Sequence, residues 1–259
     1  MSEEQRCSPD EPGPQRSWDE RFAGEEYAYG KEPNEFLAAV ADRLPPGRVL
    51  CLAEGEGRNA VFLAERGYEV TAVDSSGVGL AKARRLAAER GVTIATVHTD
   101  LADLVIEPAA WQGIVSIWAH LPRLLRARVH AGVVRGLAPG GLFILEAYTP
   151  AQLGYATGGP PVAGLLVELS TVREELAGLE FVIARETTRE VHEGRLHHGM
   201  SAVVQVVAGK PPPAQTHQPS KARPVRRRSR AASSRNRSRS SASAAGSMCG
   251  RGTARDTGQ

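Results

Sequence analysis

Residues Arg48–Ser75 read RVLCLAEGEGRNAVFLAERGYEVTAVDS. Arg48–Ala53 is a short apolar run of the length of a buried strand, and Glu54-Gly55-Glu56-Gly57 is a tight turn. From Arg58 to Arg66 the apolar residues Ala60, Val61, Leu63 and Ala64 recur at helical spacing. Tyr68–Val73 is a second strand, and it ends on Asp74. Strand, glycine turn, helix, strand and acid, in that order, predict the nucleoside-binding half of a doubly wound α/β sheet. Gly55 and Gly57 let backbone lie against a ligand where a Cβ would collide with it. Asp74, at the end of the neighbouring strand, is placed to accept hydrogen bonds from both hydroxyls of a ribose.

The charge of the turn selects the nucleoside. Gly55, Gly57 and Ala60 also satisfy the G-x-G-x-x-G/A spacing of NAD(P) enzymes, which seat a pyrophosphate on the helix N-terminus. Here Glu54 and Glu56 flank the glycine, and each would repel a pyrophosphate by roughly 1 kcal/mol or more at intermediate dielectric. S-adenosylmethionine has no phosphate; it carries a sulfonium and an ammonium against one carboxylate. The turn therefore favours S-adenosylmethionine, with Glu54, Gly55, Glu56, Gly57, Asn59, Asp74 and Ser75 as the expected contacts.

Outward from this unit the chain keeps alternating. Ser17-Trp18-Asp19-Glu20 has capping-box form for a short helix through Phe22, and Asn34 caps a helix Glu35–Leu44 that Pro45-Pro46-Gly47 ends. Ser76 caps a helix through Arg90, and strands follow at Val92–Val97 and Gly113–Trp118. Leu121–Gly136 reads as a helix, Leu137–Gly141 as a turn, and Leu142–Ala147 as a fifth strand. A long loop, Tyr148–Gly164, then breaks the pattern. Thr171-x-x-Glu174 is a capping box for a short helix that ends near Gly178. Leu179–Glu190 and Met200–Ala208 are two strands joined without a helix, so they pair antiparallel. The expectation is a Rossmann-like sheet of seven strands, mostly parallel with one reversed, and helices on both faces.

Charge divides the chain. Residues 210–259 carry 12 Lys/Arg against one Asp, whereas residues 1–209 carry 20 Lys/Arg against 28 Asp/Glu. An acidic body argues against a nucleic-acid enzyme, since contacts to phosphate supply most of that affinity. Residues 1–16 and 210–259 are read as disordered flanks of a single domain, 17–209, because neither flank holds enough apolar surface to offset its ordering entropy. The basic tail reads as an electrostatic arm for nucleic acid, as an unselected extension, or as a solvated terminus. Cys7, Cys51 and Cys249 show no pairing or zinc spacing, no apolar run approaches a membrane span, and the first residues are acidic and polar; a cytoplasmic protein is expected.

The chain resembles class I S-adenosylmethionine-dependent methyltransferases, and within them the bacterial tellurite-resistance and thiopurine methyltransferases. The resemblance rests on Trp18…Tyr27-x-Tyr29-Gly30-x-x-Pro33-Asn34, Ala53–Ala60, Ala72-Val73-Asp74-Ser75, Leu137-x-Pro139-Gly140-Gly141 and Glu193-Gly194-x-x-His197-x-Gly199. It implies methyl transfer to a small-molecule acceptor, with a thiol, selenite or tellurite among the soft nucleophiles that need no base. Two positions depart from the class: Cys51 stands where many members have an acid, and Ala53 where they have glycine. Glu54 is the nearest substitute for the missing acid.

Further candidates lie at strand ends. Asp100, after the third strand, either holds the adenine edge or is a helix cap or a solvated charge, and Leu101 beside it would pack on the ring. Ile117 and Trp118 end the fourth strand at the switch-point crevice, although Trp118 equally suits the core. His120 is the histidine best placed for general-base work, or else a helix-start residue. Tyr27 and Tyr29 fold over the cofactor mouth or pack beneath it. Tyr148 and Arg189 belong to the expected acceptor site, and Arg185 and Arg195 are further charges for an anionic acceptor. His192, His197 and His198 straddle a hairpin turn without a cysteine or paired carboxylate, so no metal is expected.

Overall fold

A computed structural model describes residues 18–155 and 157–212. The flanks expected to be disordered, apart from residues 210–212, and the cap expected at Ser17 fall outside these residues; Lys210 exchanges backbone hydrogen bonds with Gly140 and Gly141 and so continues the folded domain. Seven strands form one sheet: β1 (Arg48–Leu52), β2 (Glu69–Asp74), β3 (Ala95–His98), β4 (Trp111–Ile117), β5 (Leu137–Tyr148), β6 (Glu180–Glu193) and β7 (His197–Gly209). Their order is β3-β2-β1-β4-β5-β7-β6. The first five pair in parallel, and β7 alone runs against its neighbours. This is the expected sheet, with its single reversed strand inserted between β5 and β6.

Period-two alternation along β1 builds both faces. Val49 and Cys51 join one apolar cluster with Phe36, Leu37 and Val40 of α2 (Glu35–Val40), Val61 and Leu63 of α3 (Arg58–Glu65), and Leu80 and Leu86 of α4 (Gly77–Glu89). Leu50 and Leu52 join the opposite cluster with Val129 and Val133 of α5 (Arg123–Gly136) and Val172 of α6 (Leu169–Glu175). Caps act as the sequence suggests at two helices: the Asn34 side chain accepts from Leu37 N–H, and Ser76 accepts from Gly79 N–H. Cys51 is fully buried in the core, where burial pushes its thiol pKa well up.

Some boundaries differ, each for a local reason. The helix after Asn34 tightens at Val40 into a 3-10 turn, Ala41–Arg43, ahead of the prolines. The third strand begins at Ala95 rather than Val92, whose N–H instead closes the end of α4 on Ala87. β5 starts at Leu137, so Pro139-Gly140-Gly141 lies inside the strand as an irregularity opposite Trp111–Gly113. Thr171 caps nothing: α6 starts two residues earlier, after Glu168. The hairpin β6–β7 is longer than expected and turns at Gly194, which has φ +63°. Among the described residues no helix is long and apolar enough to cross a membrane.

Candidate active site

The carboxyl ends of β1, β2 and β4 open on one cavity of about 660 Å³. Its floor is the turn after β1. There Glu54, 8% exposed, reaches forward so that its Oε1 accepts from the N–H groups of Asn59 (2.9 Å) and Ala60 (2.8 Å). These are orphan donors of the first turn of α3, the place where a pyrophosphate would sit in a dinucleotide enzyme. A carboxylate of the chain already fills that anion site. Burial raises the Glu54 pKa to about 7 against the pull of those N–H groups and Arg58.

Asp74 ends β2 beside it. Its Oδ2 accepts from Gly55 N–H at 2.8 Å and its Oδ1 from Ser76 N–H at 2.8 Å, which fixes the carboxylate and leaves a lone pair on each oxygen. Burial raises its pKa, and the two N–H bonds oppose the shift. Ala53 and Trp118, at the ends of β1 and β4, both hold positive φ (49° and 59°). Non-glycine residues in this region cost about 1–2 kcal/mol each. Both line the cavity.

Of the expected cofactor contacts, Glu54, Gly55, Asn59, Asp74, Ser75, Asp100, Leu101, Ile117 and Trp118 line the cavity. The Asp100 Oδ1 also accepts from Ala102 N–H, within a turn rather than at the start of a helix. Two contacts are corrected. Glu56 points away from the cavity, pairing with Lys82 at 2.7 Å and accepting from Ala28 N–H, so it ties the turn to α4 and to the Tyr27–Tyr29 loop. Gly57 faces α4, where an added Cβ would lie 2.5 Å from the Ala83 Cβ; it permits helix packing rather than ligand approach.

The outer wall is aromatic and comes from three irregular segments. Trp18, Arg21 and Phe22 of α1 (Trp18–Phe22) and Tyr29 form one side, Gly158–Pro161 a second, and Arg195–His197 at the hairpin turn a third. Tyr29 lies on the cavity and accepts a hydrogen bond from Arg21. Tyr27 does not; its hydroxyl donates to the Lys82 carbonyl and braces the loop against α4. Tyr148 is fully buried behind the wall, its ring stacked on Trp118 (4.4 Å between centroids) and on His120 (5.3 Å). Gly159, at φ +83°, lies over that ring so closely that a Cβ would meet it at 2.6 Å.

Arg189 is also moved from the expected acceptor site into a buried lattice of charge. It pairs with Glu146 (2.8 Å) and Glu193 (3.3 Å), while Arg58 pairs with the other oxygen of Glu193. Asn34 donates to both carboxylates, Gln205 to Glu146, and the indole N–H of Trp118 to Glu193 at 2.6 Å. Burial alone would raise the Glu193 pKa; Arg58, Trp118 and His197 instead hold it below the ordinary range. This lattice joins the start of α2, the start of α3, β5 and the hairpin, and it sets the hairpin turn over the cavity. Sequence reading missed it because its bonded partners lie up to 159 residues apart.

The two cavity histidines have different surroundings. His120 is bonded to backbone, its Nε2 accepting from Tyr148 N–H (3.3 Å), and its ring stacks with those of Trp118 and Tyr148 at 6.3 and 5.3 Å. His197, 6% exposed, has ring contacts with Tyr29 (4.7 Å), Trp118 (5.1 Å) and Tyr148 (5.5 Å), but its buried Nδ1 has no hydrogen-bond partner among the described residues. Burial lowers the pKa of His120 to about 4 and of His197 to about 3, so both rings are neutral near pH 7. His192 and His198 meet on the exposed side of the hairpin, away from His197.

Residues 49–141 match a protein family described as a methyltransferase domain. The chain is 27% identical over 137 residues to 2-heptyl-1-hydroxyquinolin-4(1H)-one methyltransferase of Mycobacteroides abscessus, a match covering 52% of this chain and 60% of that protein. The chain thus spans less than two thirds of that relative. Its fold is similar to a structure described by the conversion of a disulfide bond into a thioacetal group during echinomycin biosynthesis (TM-score 0.62, 17% identity, 76% of this chain and 89% of that one). It is also similar to TehB from Haemophilus influenzae (TM-score 0.57, 21% identity, 68% of this chain and 61% of that one).

Proposed function

We propose that this chain, which belongs to the class I methyltransferases, transfers a methyl group from S-adenosylmethionine to the hydroxyl of a small, planar aromatic acceptor. The observation that carries the cofactor is Glu54. With its carboxylate on the N-terminus of α3, the site repels a pyrophosphate and welcomes a cationic ligand. Asp74 would take the ribose hydroxyls on its free lone pairs, Leu101 and Ile117 would pack the adenine, and Glu54 would face the cationic end. S-adenosylmethionine supplies an activated methyl group; the chain's part is to align the acceptor with it and to exclude water.

The aromatic wall supports the acceptor class. Tyr29, Trp118 and His197 present flat apolar faces and edges, and Arg21 and Arg195 bring positive charge to the same space. A planar ring with an acidic hydroxyl uses all of these features, whereas a compact anion such as selenite or tellurite would leave the rings uncovered. The M. abscessus relative is named for a substrate of this kind, an N-hydroxyquinolone. Incubation of the full chain with S-adenosylmethionine and 2-heptyl-1-hydroxyquinolin-4(1H)-one, followed by mass spectrometry, tests the reading. The expected products are S-adenosylhomocysteine and the O-methylated quinolone in equal amounts. Methylation of a thiol or of tellurite, with none of the quinolone, would contradict it.

A further inference from the structure

We propose that His197, and not His120, accepts the proton of the acceptor hydroxyl as its oxygen is methylated, and that His120 is a brace for the wall. This rests on the methyl-transfer reading above and adds a residue to it. The geometry separates the two rings. His120 spends its Nε2 on the backbone N–H of Tyr148. His197 lines the same cavity, is 94% buried by its 6% exposure, and keeps a buried Nδ1 with no hydrogen-bond partner among the described residues, a costly state for a polar side chain unless a ligand lets the ring complete its bonding. Tyr29, Trp118 and Tyr148 hold the ring by its faces and edges, so it cannot swing out to water without breaking three aromatic contacts.

The step balances. The acceptor oxygen forms a bond to the methyl carbon, the carbon–sulfur bond breaks with its electron pair going to sulfur, and the hydroxyl proton passes to the neutral imidazole. One positive charge leaves the sulfonium and one appears on the imidazolium, so the net charge of the cavity is unchanged. Glu193 stands opposite His197 in the hairpin register, and its ionised carboxylate favours the imidazolium. Burial opposes it most strongly, and Arg58 and Arg21, which face the same ring, oppose it too; His120, neutral near pH 7, adds charge against it only in acid. The ring therefore gives its proton up to solvent once the product leaves, and it starts the next turnover neutral.

The test compares wild type, His197→Gln and His120→Gln as full chains, with S-adenosylmethionine and 2-heptyl-1-hydroxyquinolin-4(1H)-one across a pH series. General-base work is worth about 100-fold or more, but only while the acceptor holds its proton. His197→Gln is expected to slow turnover by about 100-fold at pH values below the ionisation of the quinolone hydroxyl, and to approach wild type above it. His120→Gln is expected to lose the same factor at every pH. Calorimetry with S-adenosylhomocysteine, expected to give wild-type affinity in His197→Gln, checks that the variant is folded. A pH-independent loss in His197→Gln, or no loss, would overturn the assignment. So would wild-type chain that binds S-adenosylmethionine yet leaves the quinolone unmethylated. Failure to bind S-adenosylmethionine at all would instead overturn the cofactor reading, and this inference with it.

Discussion

Glu54 shows how one side chain answers two questions at once. As an acid in a glycine turn it argues in sequence for a cationic ligand, and in the folded chain it also satisfies two N–H groups of α3. Its pKa near 7 in the fold, against 4.5 as the ordinary value, has a signed consequence. The folded state holds the proton over the interval from pH 4.5 to 7 in which the unfolded chain has lost it. Stability from this group is therefore present at low pH and falls as pH rises through that interval, by roughly 3 kcal/mol. Glu54→Gln keeps an oxygen for Asn59 and Ala60 without the charge. Urea midpoints should be similar for the two proteins near pH 4.5 and should diverge in favour of glutamine above pH 7; parallel pH profiles would show that burial does not hold the proton. Asp74 was equally legible, because its place at the end of a strand is set by local pattern. Arg189 was not, since a long arginine on a hairpin reads as a solvated charge until Glu146, 43 residues away, is known to lie beneath it.

Elements were recovered better than their junctions. Alternation and helical spacing marked all seven strands and the major helices, because each is decided by burial of its own residues. Junctions depend on contacts between elements, and Gly57 is the instructive case. In sequence, a glycine that precedes a nucleoside-binding helix reads as room for the ligand, so a larger residue should abolish binding and spare the fold. In space the room belongs to α4: Gly57 holds φ +92° and its missing Cβ lies against Ala83. Gly57→Val combines a disfavoured backbone with a collision between helices, and should cost about 2–5 kcal/mol. Thermal or urea unfolding should show a clear loss of stability in the ligand-free protein. A wild-type melt with lost cofactor binding would return Gly57 to the ligand's side of the turn.

At the scale of the described fold, the parallel half supplies the floor of the cavity and the additions to it supply its wall. The order β3-β2-β1-β4-β5 puts the ends of β1, β2 and β4 side by side, and the reversed β7 brings the hairpin turn back over them. Glu193, Arg58, Glu146 and Arg189 lock that turn in place as two buried acids between two arginines. The floor was legible because it is one contiguous stretch, Arg48–Ser75. The wall was legible only in single residues such as Tyr29 and Arg195, since Trp18, Gly159 and His197 meet through tertiary contacts alone. The most direct measurement is calorimetry of wild type and Asp74→Ala with S-adenosylmethionine and with NADH in parallel. Wild type should bind S-adenosylmethionine and give no heat with NADH, and loss of the ribose hydrogen bonds in Asp74→Ala should weaken binding by about 2–4 kcal/mol, roughly 30- to 1000-fold. Binding of NADH, or S-adenosylmethionine binding that is indifferent to Asp74, would contradict the nucleoside site described above.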